Sequence, residues 1–222
     1  SVADGGDIAA ACASMRQGDI ISLATNGTYT LAGGTNGFTA FKGGFDNSHK
    51  SILRGNGATI NAGAIGALLS QIDYFRVENV NWRDQTLYCL QVNQCNYFEV
   101  DNCTFQSVVN PGFYDLTHFD RNRHGVISNC SVLDSIGQAS MDGFEVYGDC
   151  LDLVFSDCDA TGVTNGFEIW TGLAPNGANK DILWLRCNSH GNIIGYSVEG
   201  GEQNPFVQIN CIAQDCLASG NT

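Results

Sequence analysis

Two short phrases carry the densest chemistry of this chain: Met141-Asp142-Gly-Phe-Glu145 and, one repeat later, Thr164-Asn165-Gly-Phe-Glu168-Ile-Trp170. Asp142, Asn165 and Glu168 are hard oxygen donors of the kind that cage Ca²⁺. Glu145 and Glu168 form a carboxylate pair, which is what glycoside hydrolysis needs as acid and as base or nucleophile. Tyr147 and Trp170, two residues beyond each glutamate, offer flat rings against which a sugar can stack. The bland reading of the same residues is a solvated strand face with two aromatics.

A second concentration lies one repeat earlier, in Tyr114-Asp-Leu-Thr-His118-Phe-Asp-Arg121-Asn-Arg123-His124, where basic groups crowd together. β-Elimination from a uronate requires a group that removes the proton α to the carboxylate, and a cation that neutralises that carboxylate. His118, Arg121, Arg123 and Tyr114 are the candidates for proton transfer. The alternative for this stretch is a loop network of ion pairs between Asp120 and the arginines. His190 and Glu199 are further candidates for contact with a substrate, and Lys180 lies in an insertion, 171–181, expected to wall a cleft.

A repeating phrase decides how these residues can meet. Phe98-Glu-Val-Asp-Asn-Cys103, Gly125-Val-Ile-Ser-Asn-Cys130, Leu153-Val-Phe-Ser-Asp-Cys158, Ile182-Leu-Trp-Leu-Arg-Cys187 and Val207-Gln-Ile-Asn-Cys211 share one pattern at steps of roughly 23 to 29 residues, with Val80 in the thiol position one turn earlier. Such a period is one turn of a solenoid. Within each turn, short alternating runs separated by Gly, Asn and Ser describe strands rather than helices. Equivalent residues of successive turns then stack about 4.8 Å apart. The cysteines are expected to form an inward ladder, and Asn79, Asn102, Asn129, Asp157 and Asn210 a second one at a corner, interrupted by Arg186. The same stacking puts Gln91, Thr117 or His118, Glu145, Glu168 and Ser197 in one outward row.

Residues 7–16 read as a helix with Asp7 as N-cap, and this helix is expected to lid the open end of the stack. It leads into Gln17-Gly-Asp-Ile-Ile-Ser-Leu-Ala-Thr-Asn-Gly-Thr-Tyr-Thr-Leu31 and then Ser51-Ile-Leu-Arg-Gly-Asn-Gly-Ala-Thr-Ile-Asn61. Here the chain resembles the pectate-lyase-like superfamily, and the resemblance covers most of its length. It implies an all-β fold, a right-handed single-stranded parallel β-helix of about seven coils with an N-terminal capping helix, occupying 1–222 as one domain. Around Met141–Trp170 a narrower resemblance appears, to family 9 polysaccharide lyases. That likeness implies calcium ligation by Asp142, Asn165 and Glu168. Thr164 stands where that family carries an aspartate, and Ser197, in Gly195-Tyr-Ser-Val-Glu-Gly-Gly201, stands where it carries its proton-abstracting lysine.

A formal charge of −13 and the lack of a basic stripe argue against nucleic acid as a partner, and no apolar run has the length of a membrane span. The same charge repels a polyanion unless a basic cleft or a bridging cation intervenes. Ten cysteines point to an oxidising compartment and hence to secretion. Cys12, Cys89, Cys95, Cys150 and Cys216 are the expected disulfide partners, and Asn26-Gly-Thr is a glycosylation sequon on a turn; Asn102-Cys-Thr and Asn129-Cys-Ser are expected to be silent. Together these features describe a secreted, monomeric, carbohydrate-active protein. The leading expectation is a polysaccharide lyase acting on a uronate polymer with Ca²⁺. The alternatives are a glycoside hydrolase using Glu145 and Glu168, and a non-catalytic glycan-binding solenoid of the cell wall.

Overall fold

The computed structural model describes residues 1–31, 38, 40–61, 67–83, 88–107, 115–134, 142–170, 179–199 and 211–221. Its one helix among these, α1 (Ile8–Ser14), begins at Asp7, whose Oδ1 accepts a hydrogen bond from the Ala10 backbone N–H at 3.0 Å, and buries Ile8 and Cys12 against the first coil. The helix ends earlier than the sequence suggested, because Met15 is already extended (φ −72°, ψ 152°).

All remaining regular structure among the described residues is parallel β. The first coils are β1 (Ile20–Ser22) and β2 (Thr28–Thr30), β3 (Ser51–Asn61) and β4 (Ala67–Ser70), and β5 (Asp73–Arg83) and β6 (Leu90–Asn93). From there each coil has three strands: β7 (Asn96–Asp101), β8 (Thr104–Ser107) and β9 (Thr117–Asp120), then β10 (Arg123–Ser128), β11 (Ser131–Asp134) and β12 (Phe144–Tyr147). β13 (Leu151–Ser156), β14 (Asp159–Thr161) and β15 (Asn165–Trp170) follow, then β16 (Lys180–Leu185), β17 (Asn188–His190) and β18 (Ile194–Glu199), and finally β19 (Ile212–Gln214) and β20 (Leu217–Ser219). The first strands of the coils stack as one face and the second strands as another. These two faces are joined into one sheet because β3 and β5 run unbroken through the corner between them. The third face is a separate sheet in the order β18-β15-β12-β9-β6-β4. Its six strands among the described residues are slightly fewer than the seven coils expected.

The interior is built by alternation. In β3 every outward residue is partly exposed and every inward one buried, apart from a bulge near Asn56 and Gly57. Rings stack up the axis from coil to coil, Phe75 on Phe98 at 5.5 Å and Phe144 on Phe167 at 5.1 Å. Gly125, in register with Phe98 and Leu153, leaves the space the Phe98 ring fills: a Cβ there would lie 2.3 Å from its Cζ.

The cysteine ladder exists, with one correction. Cys103, Cys130, Cys158 and Cys187 are buried in register, but strand pairing aligns Leu183 with Ile212 and Leu185 with Gln214, so the next member is Cys216 and not Cys211. The corner ladder shifts in the same way, from Asn210 to Asp215. Asn79, Asn102, Asn129, Asp157, Arg186 and Asp215 all have φ between 50° and 56°, the left-handed bend that turns each coil. Asn and Asp adopt this conformation at low cost. Arg186 holds the place by donating from Nε and a terminal nitrogen to Asp157 at 2.8 and 2.6 Å, replacing the amide link that joins Asn102 to Asn79.

The ten cysteines are free thiols, so the expected bridges are not formed. Cys95 and Cys150 belong to a further inward column in which they alternate with asparagines. The Cys95 N–H donates to Asn122 Oδ1 at 2.9 Å and the Cys150 N–H to Asn179 Oδ1 at 3.0 Å. Ladder thiols donate to carbonyl oxygens of their own turn, as Cys130 does to Ser128 at 3.2 Å. In the ladder they pack as small buried hydrophobes.

Candidate functional site

The third sheet brings the chemistry together. Strand register places Gln91, His118, Glu145, Glu168 and Ser197 directly beside one another on consecutive strands β6, β9, β12, β15 and β18. This is the expected row, with His118 rather than Thr117 outward; Thr117 is fully buried and its hydroxyl donates to the Gly143 carbonyl at 2.9 Å. Two residues on, the parallel row is Asn93, Asp120, Tyr147, Trp170 and Glu199. Three residues before, the same register brings Asp115, Asp142 and Asn165 into line, and the backbones are linked by Leu116 N–H to Asp142 C=O and Gly143 N–H to Asn165 C=O.

Although these positions face away from the core, they are not solvated. His118 is 8% exposed, Glu145 3%, Glu168 5% and Asn165 7%. Charged groups are rarely buried this far unless they are paired, and here the pairing is explicit. His118 Nδ1 faces Asp115 Oδ2 at 3.3 Å and hydrogen-bonds Glu145 Oε2. One ligand atom from each of the three lies within 4.8 Å of the others. The imidazole is flanked by the rings of Tyr88 (4.9 Å between centroids) and Tyr147 (5.3 Å), and Tyr147 meets Trp170 edge-on at 5.0 Å. An aromatic row therefore runs along the solenoid axis beside the acidic one.

Electrostatics follow from this crowding. Burial would lower the His118 pKa, but the hydrogen bonds and charges of Asp115 and Glu145 outweigh it and hold the imidazole raised to about 10. Burial, with the Glu145 charge adding to it, raises Asp115 to about 7 against the pull of His118. Asp142 is raised to about 6, again chiefly by burial and with the Asp115 charge contributing. The cluster is thus a set of proton-sharing groups around one imidazolium.

Asp142, Asn165 and Glu168 adjoin it. The Asn165 backbone N–H donates to Asp142 Oδ1 at 3.1 Å, and its side-chain Nδ2 donates to Glu168 Oε1 at 3.4 Å. That geometry leaves Asn165 Oδ1 buried without a partner, and the neighbouring Thr164 Oγ1 is in the same condition. Buried acceptors are seldom left unpaired.

Several candidates lie elsewhere. Arg121 is in the left-handed corner after β9 and is committed to Asp120, with contacts of 3.0, 3.1 and 2.7 Å. Arg123 starts β10 on the first face and pairs with Asp149 at 3.1 Å. Of the ion-pair network weighed between Asp120 and the arginines, the Arg121 pair forms, whereas Arg123 turns to Asp149 instead. His190 is on the second face, bonded to Asp159 at 2.7 Å, and Lys180 begins β16 on the first face. Tyr114 falls outside the described residues, and of Glu199 only the backbone position opposite Trp170 is described. Asp115 and Tyr88 were not among the candidates. Asp115 could have been found by sliding Asp142 and Asn165 back one coil, whereas Tyr88 carried no repeat signal.

These features define a parallel β-helix with a buried acidic and aromatic row on its third face. No family model matches the chain, and no curated protein does. Among solved structures it is similar to an alginate lyase from Paenibacillus sp. str. FPU-7, at 11% identity over 96% of each chain with a TM-score of 0.41. That likeness is one of outline, and no activity is carried across from it.

Proposed function

We propose that the protein is a polysaccharide lyase that cleaves a uronate-containing polymer by β-elimination on its third face. The observation that carries this reading is Asn165 Oδ1, buried and partnerless beside two carboxylates that its own nitrogens contact. An oxygen-lined position with an orphan acceptor fits a hard cation such as Ca²⁺, held by Asp142, Asn165 and Glu168. A cation there would neutralise the uronate carboxylate and acidify the proton beside it. It would also resolve the charge problem, since a face crowded with carboxylates otherwise repels a polyanion. Trp170 and Tyr147 serve as the stacking platform for the chain of sugars.

Incubation with alginate, pectate and related polymers, with and without chelator, tests this through the ultraviolet absorbance of the unsaturated product. Cation-dependent absorbance is expected, and its absence on every uronate polymer would refute the lyase reading.

Glycoside hydrolysis is favoured by a different observation. Glu145 and Glu168 are direct cross-strand neighbours, and adjacent strands are about 4.8 Å apart, close to the separation of a retaining pair. New reducing ends without absorbance would select it, and retention on a polysaccharide without any product would select a binding role.

A further inference from the structure

We infer that His118 is the proton donor of this site, and that Asp115, with Glu145, positions it and keeps it charged. The inference rests on the reading of the third face as a glycan-cleaving site, and it holds for elimination and hydrolysis alike, because each must protonate the departing glycosidic oxygen. Three observations carry it. First, His118 sits within the outward row, between Gln91 and Glu145, where a polymer lying along the aromatic row would pass. Second, its orientation is fixed on all sides. Tyr88 and Tyr147 flank the ring, and Nδ1 is committed to the carboxylates of Asp115 and Glu145. That commitment leaves Nε2–H as the group offered to a ligand.

Third, the competing cations among the described residues are bound elsewhere. Arg121 is taken by Asp120, while Arg123 and His190 are held on other faces by Asp149 and Asp159. The remaining titratable groups around His118 are Asp142 and Glu168 on the neighbouring coils and the phenols of Tyr88 and Tyr147. None of these supplies positive charge, so the imidazolium is the acid that the geometry presents.

In the step itself the C–O bond to the departing sugar breaks and its electron pair goes to the oxygen. The oxygen takes the proton from Nε2, and the imidazole becomes neutral. In elimination the proton α to the uronate carboxylate passes to a carboxylate of the row as the new double bond forms. In hydrolysis water adds instead, its second proton going to the same carboxylate. His118 is recharged from solvent.

Asp115 is a positioning residue by this account, and a purely structural role would not move the pH profile. Imidazole resonances of the full-length protein, followed by NMR from about pH 5 to 11, should show one histidine that stays protonated well into the alkaline range. Asp115→Asn should lower that titration by a unit or more and shift the alkaline limb of kcat in the same direction, while Asp115→Glu restores both. His118→Ala, or His118→Gln if the alanine variant does not fold, should lower kcat at least 100-fold with little change in KM, the scale of general acid catalysis. An imidazole titrating near its ordinary value, or a His118 variant that retains kcat within a few-fold, overturns the inference. If the unmodified protein cleaves no glycan at all, the reading of the face fails instead, and the catalytic role falls with it.

Discussion

His118 and Glu145 occupy the same position of consecutive coils, and the imidazole Nδ1 of one hydrogen-bonds the carboxylate of the other on a face that points away from the core yet is buried. A protonated histidine held this way makes the cluster sensitive to alkali rather than to acid.

Stability should therefore fall as pH rises. His118 and Asp115 are both raised in the folded state, from 6.5 to about 10 and from 3.8 to about 7. A raised pKa contributes stability that is complete below the unfolded value and is lost as pH climbs through the folded one. Urea midpoints should decline from about pH 4 upward and continue to decline to about pH 10. In Asp115→Asn the lower part of that decline should flatten, and an unchanged profile would contradict the buried, proton-sharing cluster.

Calorimetric titration with Ca²⁺ provides the direct check on the cation position. Asn165→Ala removes the orphan oxygen and Asp142→Ala a carboxylate, and each should weaken binding at least tenfold. Binding by the alanine variants as tight as that of the native chain would show that the cation, if bound, lies elsewhere.

Trp170→Ala should raise KM by up to about tenfold and leave kcat nearly unchanged. Loss of one stacking platform removes about 1 kcal/mol of binding that is the same in ground and transition states. A matching fall in kcat would place Trp170 in the chemical step.

The coil stack is most exposed to damage at Phe98. Its ring is fully buried, stacks on Phe75 and Phe119, and fills the space left by Gly125. Phe98→Ala should cost about 3–5 kcal/mol, the range for large-to-small changes in a packed core, measured by denaturant unfolding.

Thiol accounting tests the ladder. Alkylation of the unreduced protein in denaturant should add ten labels per chain, and alkylation of the native protein few or none. Eight labels or fewer under denaturing, non-reducing conditions would reveal a bridge.

Much of this was written in the repeat. The cysteine phrase alone placed Gln91, Glu145, Glu168 and Ser197 in one row with either Thr117 or His118, and Asp7 announced the helix that closes the first coil, because a stacked fold repeats the same local instructions once per turn. The repeat misleads at the last coil. Cys211 completes the phrase by spelling, but hydrogen-bonded register gives its place to Cys216, since strand pairing counts residues around corners whose length the letters do not state.

The site divided along the same line. Residue types and their spacing determined which groups share a face. Which of them are paired was decided only by the tertiary structure, which bound Arg121 to Asp120 and sent Arg123 and His190 to other faces. It also brought Asp115 and Tyr88 around the imidazole. Spacing fixes position along a coil, whereas burial and proton sharing depend on how side chains from different coils converge, and that is a property of the packed stack alone.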